Sequence, residues 1–377
     1  MDFDFTDDQE SLRDAVRRWV DKGFAFERRH GMAKAGGKSR EVYGELAELG
    51  LTGLAVPEAH GGMGFGPVEA MVVMEELGRG LVHAPYAQGA LIAPAVLAAA
   101  TTDVQAAWLP GIADASKLVV LAHHERGARH RLAQVTCKAA AAGSGWVIEG
   151  AKSLVPAGDE ADAFIVPART GGRADDAAQI GLFLVERAAK GVAVRAYPTA
   201  DGSRAAEAAF DGAPASLLVR DGLATLELAV DTGIAAQAAE SVGVMDRLVA
   251  MTVEYMNTRK QFGVPIASFQ ALRHRIADVK MQLELARSMS YYASLKLREA
   301  PAVRRRAVAQ AQLQLSQSMR YVGQQCIQLH GGIGVTDEYA GSHYFKRLTV
   351  MELAWGDGLH ALGEVSARMQ DTAGVFA

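Results

Sequence analysis

The sequence predicts an α+β fold that is mostly α, built in the order helices, small β domain, helices. Three observations predict it. Apolar residues recur at helical spacing through residues 5–115. From residue 118 to 219 the pattern changes to short apolar runs separated by turn chemistry. From Leu223 the helical period returns, and no proline interrupts Leu223–Arg259. With 377 residues, of which 50% are hydrophobic and 22% charged, the chain can bury a large core. The expected domains are an N-terminal helical domain over 1–116, a middle, mostly antiparallel β domain over 117–222 and a C-terminal helical bundle over 223–377.

Each element has its own signal. Thr6-Asp7-Asp8-Gln9 is a capping-box pattern ahead of Leu12, Ala15, Val16 and Val20. Val56-Pro57 and the glycines of 61–66 read as a loop. Helical patterns resume over Val68–Leu81 and Pro85–Leu97. The strands are expected at Leu118–Ala122, Trp146–Ile148, Ala163–Val166, Ile180–Val185, Val192–Ala196 and Leu217–Val219. Gly143-Ser144-Gly145, Gly171-Gly172 and Asp201-Gly202 turn the chain between them. After the long helix from Leu223, further helices fit Phe269–Arg298, Pro301–Leu329 and Thr349–Met369.

Composition excludes several function classes. A net charge of −4 argues against a nucleic-acid binder, which carries a basic excess. Two cysteines, Cys137 and Cys326, build neither a disulfide framework nor a zinc site, and a cytoplasmic protein is expected. His123-His124-Glu125 lacks metal-ligand spacing, so no metal is expected. The start Met1-Asp2-Phe3-Asp4-Phe5 is acidic and unlike a signal peptide. The apolar run of 89–100 is broken by Pro94 and too short to span a bilayer. Neither a dinucleotide-fold glycine fingerprint nor a P-loop is present.

Three segments carry chemistry: Pro57-Glu58-Ala59-His60-Gly61-Gly62-Met63-Gly64; Asn257-Thr258-Arg259-Lys260-Gln261-Phe262-Gly263 with Phe269-Gln270; and Gln328-Leu329-His330-Gly331-Gly332-Ile333-Gly334-Val335. Arg259 offers a guanidinium fork that matches a diphosphate. Phe262 can pack on a flat heterocycle, and Gln270 can hydrogen-bond one. Gly331 and Gly332 let backbone approach a ligand closely. The alternative is an ordinary surface arginine and a helix-terminating glycine pair.

Together these segments resemble the acyl-CoA dehydrogenase family over essentially the whole chain. The resemblance implies N-terminal helices, a middle β domain, a C-terminal four-helix bundle and FAD as cofactor. It implies that Arg259, Phe262, Gln270, Gln328, Gly331 and Gly332 bind the ADP part of the FAD of a neighbouring subunit. Gly202-Ser203-Arg204-Ala205-Ala206, Phe210-Asp211-Gly212 and His330 to Leu348 are similar to a branch containing the small subunit of pimeloyl-CoA dehydrogenase. Members of that branch often occur beside a longer homologous chain.

The sequence also departs from that family. The catalytic Glu that follows the Gly-Gly motif falls on Trp355, and the alternative Glu on the long helix, 26 residues before Arg259, falls on Gly233. Asp357 is the nearest carboxylate, as a base or as a helix N-cap. Asp231 matches a position that contacts the CoA adenine region in relatives, or it lies on a solvated helix face. Glu240 either faces an acyl cavity or forms a structural pair inside the bundle. The family's flavin-ring segments are replaced by Ala122-His123-His124-Glu125-Arg126 and Leu154-Val155-Pro156, and Pro156 has no N–H to donate.

The expectation is a subunit of a flavin-dependent acyl-CoA dehydrogenase that desaturates an acyl-CoA thioester and passes electrons to an electron-transfer flavoprotein. It is expected in a homo-oligomer or with a larger homologous subunit. Two alternatives stand beside it: a non-catalytic chain completing a partner's FAD site, and a flavin oxidase or monooxygenase on the same fold.

Overall fold

The computed structural model describes residues 5–143 and 145–373. Helices α1 (Asp7–Gly23), α2 (Phe26–Lys34), α3 (Arg40–Glu48), α4 (Pro67–Arg79), α5 (Ala93–Leu97) and α6 (Thr102–Ala113) come first. A π-helical turn, Ala87–Ile92, leads into α5. Strands β1 (Val119–Leu121), β2 (Lys138–Ala142), β3 (Gly145–Pro156), β4 (Ala163–Arg169), β5 (Ile180–Glu186), β6 (Val192–Pro198) and β7 (Arg204–Val219) follow. Then come α7 (Leu223–Thr258), a two-stranded hairpin of β8 (Lys260–Gln261) and β9 (Val264–Pro265), α8 (Gln270–Lys296), α9 (Pro301–His330), α10 (Ala340–Leu353) and α11 (Gly358–Ala373).

The chain divides into two compact units. One comprises residues up to 30, 67–82 and from 234 onward; the other comprises 31–66 and 83–233. The first 116 residues therefore contribute to both.

The first unit is helical. The capping box at α1 is formed: the Gln9 N–H donates to Thr6 Oγ1 at 3.3 Å, and the Thr6 N–H donates to Gln9 Oε1 at 3.1 Å. Small residues on α7 permit very close helix packing. A Cβ on Gly243 would lie 1.9 Å from the Glu75 carbonyl oxygen, and one on Gly78 would lie 2.1 Å from that of Glu240. Glu240 itself is buried and gripped by Arg347, whose Nε and Nη2 donate to its two oxygens at 2.7 and 2.8 Å. Of the two readings of Glu240, this geometry is the structural pair.

The second unit is a β barrel with helical segments tied to it. Pairings run β4-β2-β3-β7-β5 and return to β4, with β1 parallel to β4 and β6 on β7. Phe164, Phe183, Phe210 and Ile148 fill its interior. Glu160 binds α3 to the barrel, accepting the Ser39 and Arg40 backbone N–H groups at 2.8 and 2.7 Å. A carboxylate there satisfies helix N-terminal donors and opposes the helix dipole.

Three segments differ from the sequence expectation. The helix expected over 349–369 is two helices, α10 and α11, because Trp355 and Gly356 have φ of +58° and +116° and break the ladder. β2 and most of β7 escaped notice because they are alanine-rich, and alanine carries neither the apolar alternation nor the β-branching that marks strands. Of the expected turns, the one at 143–145 includes Ser144, which lies outside the described residues, as do 1–4 of the acidic start.

Gly243→Ala is expected to lower stability by about 1–3 kcal/mol. Alanine's better helix propensity, about 1 kcal/mol, recovers only part of the clash with the Glu75 carbonyl. The urea midpoint of the variant checks this.

Candidate functional site

The C-terminal end of α7, the β8–β9 hairpin, the start of α8 and the end of α9 meet through one apolar cluster. Met256, Ile266 and Leu329 form it, with Tyr255, Leu272 and Ile276 against its flank. The contact brings the arginine motif of α7 beside the Gly-Gly motif of α9. Residues 328–332 and 259–270 are thus neighbours in space.

The groups around this cluster face outward. Among the described residues, no hydrogen bond or ion pair engages the Arg259 guanidinium, and Arg259, Gln270 and Gln328 are all exposed. Phe262 and Gly263 form the two-residue loop of the hairpin, with φ of +53° and +82°. Positive φ at both loop positions is the twist-matching turn that asparagine-glycine usually supplies. A phenylalanine there costs about 1–2 kcal/mol, yet it stands 91% exposed. The ring meets the edge of Phe269 at 6.1 Å between centroids, and the rest of its surface stays open. Gly331 ends α9 at φ +66°, and a Cβ on Gly331 or Gly332 would meet nothing within 4 Å. The arrangement fits the ADP portion of FAD: a cation for a diphosphate, a ring to pack on it, two amides, and bare backbone with room beside it.

The loop that carries Trp355 is different. Gln312 Nε2 donates to the carbonyl oxygens of Trp355 and Gly356 at 3.1 and 2.9 Å, clamping the loop between α10 and α11. Asp357 Oδ1 accepts the His360 N–H at 2.8 Å and so caps α11. A small cavity beside this loop is lined by Ile234, Ser241, Gln312, Met319, Met351 and Gly356. Asp231 on α7 is 3% exposed and is engaged within the chain, so it does not lie on the solvated helix face that was one of its two readings.

The barrel segments have acquired a buried ion pair that sequence reading missed. Lys152 Nζ, fully buried, donates to Glu125 Oε1 at 2.6 Å. The other lone pairs of Glu125 accept from the Thr136 and Cys137 N–H groups at 2.7 and 3.2 Å and from the Thr136 hydroxyl. Burial pushes the Glu125 carboxyl up, but the Lys152 charge and these hydrogen bonds outweigh it and leave it below its usual value. Two residues on, β3 bulges opposite Ala206–Ala208, and Leu154 stands at φ +52°, 54% exposed. The only signal for the pair was a glutamate and a lysine on apolar segments.

One group of three potential metal ligands lies elsewhere among the described residues: His30, Asp337 and His343. Lys346 Nζ sits 3.3 Å from Asp337 and Arg29 Nη1 3.2 Å from His343 Nδ1, two cations that oppose a metal ion there.

Models of the N-terminal, middle and C-terminal domains of acyl-CoA dehydrogenases match residues 6–116, 120–211 and 220–369. The chain belongs to the acyl-CoA dehydrogenase family. Its reaction class is the flavin-dependent desaturation of acyl-CoA thioesters, and its cofactor is FAD. Acyl-CoA dehydrogenase FadE27 of Mycobacterium tuberculosis is 30% identical over 99% of this chain and 100% of its own. The ChsE4–ChsE5 complex from Mycobacterium tuberculosis contains a chain 28% identical, covering 99% of this chain and 100% of that one, with a TM-score of 0.89. A variant of the Tcur3481–Tcur3483 steroid ACAD is also 28% identical, over 97% and 99% of the two chains, with a TM-score of 0.89. No helix among the described residues is long and apolar enough to cross a membrane.

Lys152→Met is expected to lower stability at pH 7 by about 3–5 kcal/mol, because Glu125 keeps a buried charge without its cation. The sign of the pH dependence also changes. In the native pair the carboxyl is depressed, so its stabilisation is present above the ordinary glutamate value of 4.5 and is lost as pH falls through the lower folded value. Without Lys152, burial dominates and raises it, so the variant regains stability as pH falls toward that raised value. Urea melts at pH 7 and pH 5 separate the two behaviours.

Proposed function

We propose that this chain is the FAD-completing subunit of a heteromeric acyl-CoA dehydrogenase, with a longer homologous chain supplying the catalytic base. The observation that carries the reading is the asymmetry between its two halves. The residues of the ADP half-site are all present and exposed, whereas both base positions expected from the family hold residues that take no proton, Trp355 and Gly233. The loop at Trp355 is clamped by Gln312, and the two nearby carboxylates are engaged: Asp357 caps a helix, and Glu352, which lines the same cavity, accepts from Arg320 at 2.7 Å. Two solved structures similar to this chain, ChsE4–ChsE5 and Tcur3481–Tcur3483, are of paired chains, which supports the same arrangement here.

In such an assembly Arg259 holds the diphosphate by charge-assisted hydrogen bonds, Phe262 packs on the adenine side, and Gln270 and Gln328 orient the dinucleotide. Gly331 and Gly332 bring main-chain groups to it. When bound, FAD supplies the acceptor for the hydride from the β carbon of the acyl-CoA. The base that takes the α proton belongs to the partner in this reading. Asp231 is the candidate for contact with CoA, an electron-transfer flavoprotein the electron acceptor, and the cytoplasm the compartment. The two cysteines, both free and buried, suit that compartment.

Arg259→Ala is expected to weaken FAD retention by about 1.5–3 kcal/mol, the loss of a hydrogen bond to a charged group. Flavin absorbance after exhaustive dialysis measures it, and unchanged content contradicts the half-site. Separately, the chain purified alone is expected to turn over acyl-CoA thioesters only weakly. Robust turnover removes the need for a partner's base, and loss of that turnover in Asp357→Asn then assigns the base to Asp357.

A further inference from the structure

His330 closes α9 immediately before Gly331 and is 3% exposed. Both ring nitrogens are engaged. Nδ1 lies 2.8 Å from the Cys326 carbonyl oxygen, which only accepts, so Nδ1 carries the proton. Nε2 lies 2.7 Å from the Tyr339 hydroxyl, which must then donate to it. The ring is also held between two aromatics: Tyr255 of α7 at 4.7 Å and Tyr339 at 5.0 Å between centroids. The 3-10 turn Gly331–Val335 folds back on it so tightly that a Cβ on Gly334 would lie 3.0 Å from the His330 Cβ.

We infer that His330 is a positioning residue of the dinucleotide half-site: its neutral, Nδ1-protonated ring locks the Gly331–Val335 turn to α7 and α9, and protonation at Nε2 releases that turn. The inference rests on the half-site reading. A proton on Nε2 turns an acceptor into a donor facing the Tyr339 oxygen. The hydroxyl must then rotate, and a charge is placed between two rings in a buried site. Burial favours the neutral ring and lowers the His330 pKa, while the bond to the Cys326 carbonyl pulls it part of the way back. The titratable groups that act on Tyr339 are Glu254, Tyr255 and Arg247 of α7 and Cys326 of α9. Glu254 and Arg247 have opposite signs, so they oppose one another at Tyr339. The carbonyl and the hydroxyl are therefore the two bonds that set the tautomer. The half-site is held closed at neutral pH and loosens in acid, below the ordinary histidine value of 6.5.

The test is amide hydrogen exchange of residues 331–336 in the full-length protein, corrected for intrinsic rates, from pH 7.5 to 5. Wild type is expected to keep its protection to below pH 6.5 and then lose it. Tyr339→Phe removes the donor to Nε2. Its protection is expected to fall about three- to tenfold at pH 6.5, with the midpoint moved to higher pH. His330→Asn keeps a donor toward Cys326 without a titrating ring and is expected to be less protected but flat across the range. A wild-type profile without a transition, or two variants that copy the wild-type profile, overturns the inference. FAD retention after gel filtration at pH 7.5 and 5.5 is the second readout. If Arg259→Ala leaves retention unchanged while the exchange profiles behave as expected, the half-site reading fails and the lock stands. If Arg259→Ala releases FAD while Tyr339→Phe changes neither protection nor retention, the lock fails and the half-site stands.

Discussion

Three helix ends converge on the cluster of Met256, Ile266 and Leu329, and the candidate site depends on that contact. Arg259 and Gln328 are about seventy residues apart in sequence and become neighbours only because α7 and α9 are pinned together there. The cluster is small, and what it supports is polar and exposed. This is an economical way to build a ligand surface: bury a few apolar side chains behind it, and leave the recognition groups unpaired in front. The strained Phe262–Gly263 turn belongs to the same design. Within the chain the Phe262 ring meets only the edge of Phe269 among the described aromatic rings, 6.1 Å away between centroids, and most of its surface is left open.

The barrel and the loop between α10 and α11 tell the opposite story. In the barrel, Glu125 is buried against Lys152 and surrounded with donors. Such a pair fixes local structure and leaves no lone pair for a ligand. The Trp355 loop is likewise satisfied internally by Gln312. Polar groups that are fully engaged stabilise, and polar groups that are open recognise. The chain has the first kind in its barrel and in the loop between α10 and α11, and the second kind around the cluster of Met256, Ile266 and Leu329.

Much of this was legible in the sequence. The long proline-free helix was readable to within one residue of its observed end, Thr258, because its period is unbroken and a glycine follows. The capping box at Thr6 was legible because it is local chemistry. The motifs singled out Arg259, Phe262, Gln270, Gln328, Gly331 and Gly332, and all six are exposed. What escaped has physical causes in common. β2 and β7 are alanine-rich and lack a strand signature. The α10–α11 break turns on the left-handed backbone of Trp355, which no propensity suggests. The Glu125–Lys152 pair, the Gln312 clamp and the His330–Tyr339 lock are tertiary, joining residues whose sequence neighbours give no hint of a partner.

Counting flavin per chain tests the central claim most directly. The protein would be purified with its longer homologue, its assembly mass measured by sedimentation, and FAD quantified against each polypeptide. The account predicts a mixed oligomer with one FAD for each pair of unlike chains. One FAD for every copy of this chain, in an oligomer of this chain alone that turns over acyl-CoA, would contradict it.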